Sequence, residues 1–217
     1  MTFIYSPPQD DIKILYIDDC FVIVNKPSGL LSVPGRAEEH KDCLETRLKS
    51  LGYAVMTVHR LDMDTSGLMV FALHKEAHKN LSKQFELKQT QKTYVCLVDG
   101  HVGADEGEID LPLRCDWPNR PLQMVDHELG KKALTKWRVL ERLQEGTTRL
   151  ELTPITGRSH QLRVHCLSMG HAILGDRFYG SDEVVNKAKR LCLHAQALSF
   201  HHPETGELMS YDCPADF

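Results

Sequence analysis

Residues 133–155 read ALTKWRVLERLQEGTTRLELTPI, two runs rich in apolar and β-branched residues on either side of Glu145 and Gly146. A break this short returns the chain beside itself, so the runs predict a hairpin, and a hairpin is antiparallel by construction. Parallel neighbours would need a crossover of about a dozen residues or more. Working outward, strand-forming stretches recur: KILYIDDCFVIVNKPSG (13–29) reads as two strands around Asp18 and Asp19, and YAVMTVHR (53–60) and GLMVFAL (67–73) as two more. KTYVCLVDG (92–100) precedes the hairpin, and LCLHAQALSFHHP (191–203) supplies a late strand. Helices are fewer. In HKEAHKNLSKQFELK (74–88) Ala77, Leu81 and Phe85 recur every fourth position, which makes one apolar stripe on a helix. Ser159 is placed to cap a second helix over HQLRVHCLSM (160–169), with Gly170 as its left-handed stop. Adjacent strands with few inserted helices predict an α+β class with a mainly antiparallel sheet. No repeat, low-complexity tract or linker interrupts the 217 residues, so a single domain over 1–217 is expected.

Composition excludes several classes. Hydrophobic residues are 41% and charged residues 26% of the chain, as in a globular protein in water, and no apolar run approaches the roughly 20 residues that span a bilayer. MTFIYSPPQDD at the start carries neither the pattern of a signal peptide nor that of a transit peptide, which predicts a cytoplasmic protein without a membrane partner. Seven cysteines with no C-x-x-C pair predict reduced thiols. The net charge of -4 hides an uneven distribution. Residues 1–24 and 201–217 together carry -7, so the body is +3, and Arg158 to Arg190 holds six Lys or Arg against three acids. That modestly basic centre is compatible with a polyanionic partner.

VHRLDMDTSG (58–67) ends a strand with a cation and two carboxylates two positions apart, and turn-forming residues follow. Functional side chains favour such loops at a sheet end. Asp62 and Asp64 could form an acid–base pair if both faced one cleft; Asp64, beside Thr65 and Ser66, reads better as a turn residue. A second polar centre is ITGRSHQLRVH (155–165), which sets Arg158, His160, Arg163 and His165 around a helix start. Leu162 and Val164 bracket Arg163 and predict its burial, where a guanidinium needs a carboxylate partner. Asp62 is the candidate. The pairs His160/His165 and His74/His78 have a spacing that could ligate zinc, but no cysteine or acidic ligand cluster accompanies them, and no metal is assigned. Tyr94 alone would read as a core aromatic.

Six ordered blocks, NKPSGLLSVPG (25–35), HRLDMDTSGLMVFAL (59–73), KTYVCLVDG, ITGRSHQLRVH, ILGDRFYG (173–180) and LCLHAQAL (191–198), together resemble the RluA family of RNA pseudouridine synthases. The resemblance runs from about Ile14 to Phe217. The short segment before ILYIDD, CDWPNRP (115–121) and the terminal PADF resemble members that act on both large-subunit (23S) ribosomal RNA and the tRNA anticodon stem-loop. It implies a mixed, mainly antiparallel sheet flanked by helices around a central RNA-binding cleft, without an appended S4-type domain. It further implies a uridine flipped out of structured RNA and isomerised to pseudouridine without metal or organic cofactor, by a monomer needing no obligate protein partner.

Residue roles follow by position. The resemblance implies that Asp62 is the essential aspartate, as nucleophile or as base, that Arg163 pairs with it, and that Tyr94 contacts the uracil ring. It implies that Arg60 enters the RNA stack where the base leaves. His59, mainly as support, and His160 complete the candidate substrate-binding set, with Arg158 and Arg177 as phosphate contacts. Two other readings compete: a noncatalytic RNA-binding or ribosome-assembly module, and a glycoside hydrolase using Asp62 and Asp64. The first has no need of a buried Arg–carboxylate pair. The second needs an aromatic sugar platform that two Trp hardly supply.

Overall fold

The computed structural model describes residues 5–217. In chain order the strands are β1 (Lys13–Ile17), β2 (Phe21–Lys26), β3 (Met56–Thr57), β4 (Ser66–Ala72), β5 (Gln91–Asp99), β6 (Glu106–Asp110), β7 (Leu113–Cys115), β8 (Gln123–Val125), β9 (Leu134–Leu143), β10 (Thr147–Pro154), β11 (Leu193–His201) and β12 (Leu208–Asp212). The helices are α1 (Leu44–Ser50), α2 (Lys75–Glu86), α3 (Gln161–Ser168) and α4 (Asp182–Asn186). The class is α+β. Two compact units divide the chain: one holds the described residues up to Lys92 together with Ala195–Ala215, the other Thr93–His194 with Asp216–Phe217.

In the first unit β1, β2 and β4 lie side by side and antiparallel, with β3 also on β4 and β12 antiparallel to β11. Every residue of β4, which lies between β2 and β11 in the sheet, is buried. Gly67 meets Ala195 of β11 so closely that a Cβ would stand 2.4 Å from its carbonyl oxygen, at a φ of +114° that side chains rarely adopt. The core is Phe21, Ile23, Leu68, Val70, Leu198 and Phe200, onto which α2 turns Ala77 and Leu81. The helix predicted over 74–88 is α2, capped by the His74 side chain accepting from Ala77 N–H.

In the second unit β5, β10, β9 and β6 form an antiparallel sheet in that order. The predicted hairpin is β9–β10, pairing from Thr147↔Leu143 to Pro154↔Thr135, with Gly146 at φ +72° in its turn. A core of Cys96, Val98, Leu150, Leu152, Leu162, Ile173 and Leu193 packs α3 on this sheet. β7 and β8 make a separate small hairpin.

One expected cap differs. His160, not Ser159, is the residue before α3; it adopts φ +51° and makes no capping bond with its side chain. Gln161 does that work: its amide oxygen accepts from Arg158 N–H and from Thr156 Oγ1, and its nitrogen donates to Leu134 O and Thr135 Oγ1. A side chain within the helix thus ties the entering loop to β9, and leaves Ser159 exposed. The helix ends at Gly170, φ +85°, as expected.

Candidate active site

The loop that carries Asp62 leaves β3 at Thr57 and enters β4 at Ser66. Its backbone is clamped from the KPSGLLS segment, residues 26–32. Ser32 Oγ donates to Leu61 O at 2.8 Å and accepts from Leu61 N–H, Gly29 N–H donates to Met63 O at 2.9 Å, and Ser28 Oγ donates to Asp64 O at 2.6 Å. Thr65 N–H closes a turn on Asp62 O at 3.2 Å. The peptide groups around Asp62 are therefore immobilised, while its carboxylate is only half-buried.

Lys26 organises the clamp. It is fully buried, and its ammonium donates to Pro27 O, Leu30 O and Met63 O at 2.7–2.9 Å, using its three protons. Desolvation pushes its pKa down to about 7, against the pull of the Asp64 and Asp62 carboxylates. His59 supports the loop from the other end. β3 pairing stops at Thr57, and His59 Nε2 then accepts from Val70 N–H of β4 at 3.1 Å while the ring stacks on Phe85 at 4.5 Å. Desolvation and the nearby Lys92 ammonium push His59 down to about 3, so the ring is neutral and Nδ1 keeps the proton. Arg60 is exposed.

In the second unit Arg163 is 2% exposed, as the bracketing apolar residues predicted. Its Nε and Nη2 form a fork on Asp176, at 2.8 and 2.5 Å, and Asp176 is itself 1% exposed. Asp176 is thus a buried carboxylate partner of Arg163 that the sequence reading did not single out. Asp176 Oδ1 also accepts from Phe178 and Tyr179 N–H, and both rings lie near the guanidinium, 5.1 and 5.3 Å from its carbon. His160 Nδ1 bonds to Tyr179 Oη at 2.7 Å, and its ring stacks on Phe178. One buried ion pair thereby fixes the DRFY turn, α3 and His160 together.

Tyr94 is half-buried on β5, opposite Leu152, against the core of the second unit. Arg158 and Arg177 are exposed; Arg158 Nε donates to Lys132 O. The histidines weighed as zinc ligands are in use elsewhere, His165 on Thr135 Oγ1 and Leu111 O and His78 on Thr57 O. Among the described residues, metal-capable groups do converge at Asp18, Cys20 and His202 and at Cys20, His74 and Glu204. There each ring's Nδ1 accepts a backbone N–H, so the proton of the neutral ring sits on Nε2 and faces Asp18 at 3.3 Å or Glu204 at 3.6 Å. That tautomer suits a donor to a carboxylate rather than a ligand through Nε2. Sequence reasoning missed Lys26, Ser28, Ser32 and Asp176, although all lie in blocks it singled out; their signal was adjacency to a candidate, which does not reveal what a side chain bonds.

The sequence matches the family described as RNA pseudouridylate synthase over residues 20–168, and the chain belongs to that family. It is accordingly an RNA pseudouridine synthase, an isomerase. It is 54% identical over 214 residues to the "Dual-specificity RNA pseudouridine synthase RluA" of Escherichia coli (strain K12), covering 98% of each chain. The proteins of the same description from Yersinia pestis and Pasteurella multocida are 55% identical over 204 residues (94% of this chain, 99% of the relative) and 50% identical over 214 (98% of each). Among solved structures, human RNA Pseudouridylate Synthase Domain Containing 1 superposes with a TM-score of 0.81 at 29% identity, covering 98% of this chain and 87% of that one. Domain Containing 4 gives 0.75 at 25% identity, covering 93% and 88%.

Proposed function

We propose that this chain flips specific uridines out of 23S ribosomal RNA and of the tRNA anticodon stem-loop and isomerises them, with Asp62 as the essential carboxylate. Uridine and pseudouridine have the same atoms: the N1–C1′ bond breaks, C5–C1′ forms, and a proton leaves C5 as one is gained at N1. The sugar carbon must be activated during the exchange, which a held carboxylate does by attack or by proton removal. The observation that carries the reading is the half-buried Asp62 on a loop whose neighbouring carbonyls are clamped by Lys26, Ser28, Gly29 and Ser32. The dual-specificity description of the relatives supports the choice of RNAs. Arg163 acts as a positioning residue, Tyr94 lies against the uracil, Arg60 replaces it in the stack, and Arg158, Arg177, His160 and His59 support the RNA or its loop. In this reading the chain works as one catalytic domain, a cytoplasmic monomer without metal or organic cofactor.

The test is pseudouridine mapping in 23S rRNA and tRNA from cells with and without the gene, with purified variants beside it. Asp62→Asn should lower turnover by about a thousandfold or more while RNA affinity stays within about tenfold, and Asp64→Asn should remain active. An inactive Asp64→Asn beside an active Asp62→Asn would exchange the two assignments.

A further inference from the structure

β7 and β8 stand apart as their own hairpin, and its connecting turn displays the most exposed aromatic ring in the described chain: Trp117 is 61% exposed. The turn is rigid. Asp116 N–H donates to Leu122 O, Leu122 N–H to Asn119 O, and Asn119 both through its backbone to Asp116 O and through Nδ2 to Asp116 Oδ2, at 2.9–3.0 Å. Arg120 lays its guanidinium over the indole at 4.1 Å from the ring centroid, and among the described residues no carboxylate lies within ion-pair distance of it. One indole face is therefore backed by an uncompensated cation, and the exposed ring is held ready. Trp137, the other tryptophan, packs against the core of the second unit.

The turn is also tethered to functional residues. Gln123 N–H donates to Tyr179 Oη at 2.9 Å, the same oxygen that bonds His160, on the turn fixed by Asp176 and Arg163. A planar, sequence-tolerant ring backed by a cation is what an unstacked nucleobase and its flanking phosphate recognise. We propose that Trp117 and Arg120 form a stacking platform for an unpaired nucleobase of the substrate RNA, separate from the uridine that reacts. The proposal rests on the RNA-modifying reading above.

The probe is a synthetic anticodon-type RNA stem-loop with a seven-nucleotide loop, titrated into wild-type protein, Trp117→Phe and Trp117→Ala. Stacking quenches indole fluorescence, so wild-type emission should fall on saturation. Most of that change should be absent in Trp117→Phe, where only Trp137 emits. Affinity should weaken by about 5- to 100-fold in Trp117→Ala and by less in Trp117→Phe, which keeps an aromatic face. The Phe variant guards against misfolding of the Ala variant, because its quench is read whether or not the latter folds. Equal affinity in all three, or a quench that persists in Trp117→Phe, overturns the platform and leaves the exposed ring to a protein partner. Wild-type protein that forms no pseudouridine in ribosomal RNA, tRNA or the stem-loop would overturn the functional reading as well, so the two failures are distinguishable.

Discussion

His59 shows how one side chain can hold the loop that carries Asp62. Its ring replaces a strand partner for Val70 N–H, and that role requires a bare Nε2. With the folded pKa near 3 and the unfolded one near 6.5, the unfolded chain binds more protons between those values. Stability from this group is thus full above about pH 6.5 and is lost as pH falls toward 3. In urea unfolding, wild-type protein should lose more stability from pH 7 to pH 5 than His59→Gln, whose amide oxygen can still accept from Val70; equal losses would refute the neutral ring. Arg163 and Asp176 obey the asymmetry of buried ion pairs, in which removing one partner strands the other. Arg163→Met should cost about 3–5 kcal/mol at pH 7. Arg163→Lys should lie between, keeping the charge without the fork. An Arg163→Met protein within about 1 kcal/mol of wild type at pH 7 would show the pair to be dispensable.

At the level of elements, the segment from Lys26 to Ser32 and the loop from Leu61 to Thr65 act as one piece, since the first supplies donors to the carbonyls of the second. Lys26→Met would keep the apolar stem but leave the buried Leu30 O and the half-buried Pro27 O without this donor and Met63 O with Gly29 N–H alone, at a cost of about 1–3 kcal/mol for a buried carbonyl left unsatisfied. The expected result is a lower thermal midpoint and a turnover defect larger than the loss of RNA affinity, because the loop carrying Asp62 loosens. A Lys26→Met enzyme with normal turnover would show that the clamp is structural only. The elements themselves were readable where periodicity is strong: β9 and β10, α2 and the buried β4 follow from their apolar spacing. α1, β6–β8, β12 and α4 were not, because short segments on the surface carry too few apolar positions to show a period. The start of α3 was misread for another reason. Ser159 has the composition of a cap, but Gln161 reaches residues of β9, far away in sequence, and makes those bonds.

For the whole molecule, the acidic ends and basic middle place the charge that an RNA would meet in the body of the chain. RNA binding should weaken linearly in log–log plots against salt, with a slope of about −0.7 to −0.9 per phosphate contact. Turnover should survive exhaustive chelation, since the metal-capable groups have their rings committed as Nε2–H donors; a loss on EDTA treatment that zinc restores would contradict this. The reading from sequence alone determined the α+β class, the antiparallel pairing, the burial of Arg163 and Asp62 as the candidate carboxylate. Those properties depend on local spacing, turn chemistry and ordered motifs, which are written along the chain. Only the tertiary structure decided that Asp176 takes the fork of Arg163, that Lys26 is buried beneath the Asp62 loop, and that Trp117 is exposed under Arg120. Each depends on which groups lie close in space, and distance along the sequence does not reveal that.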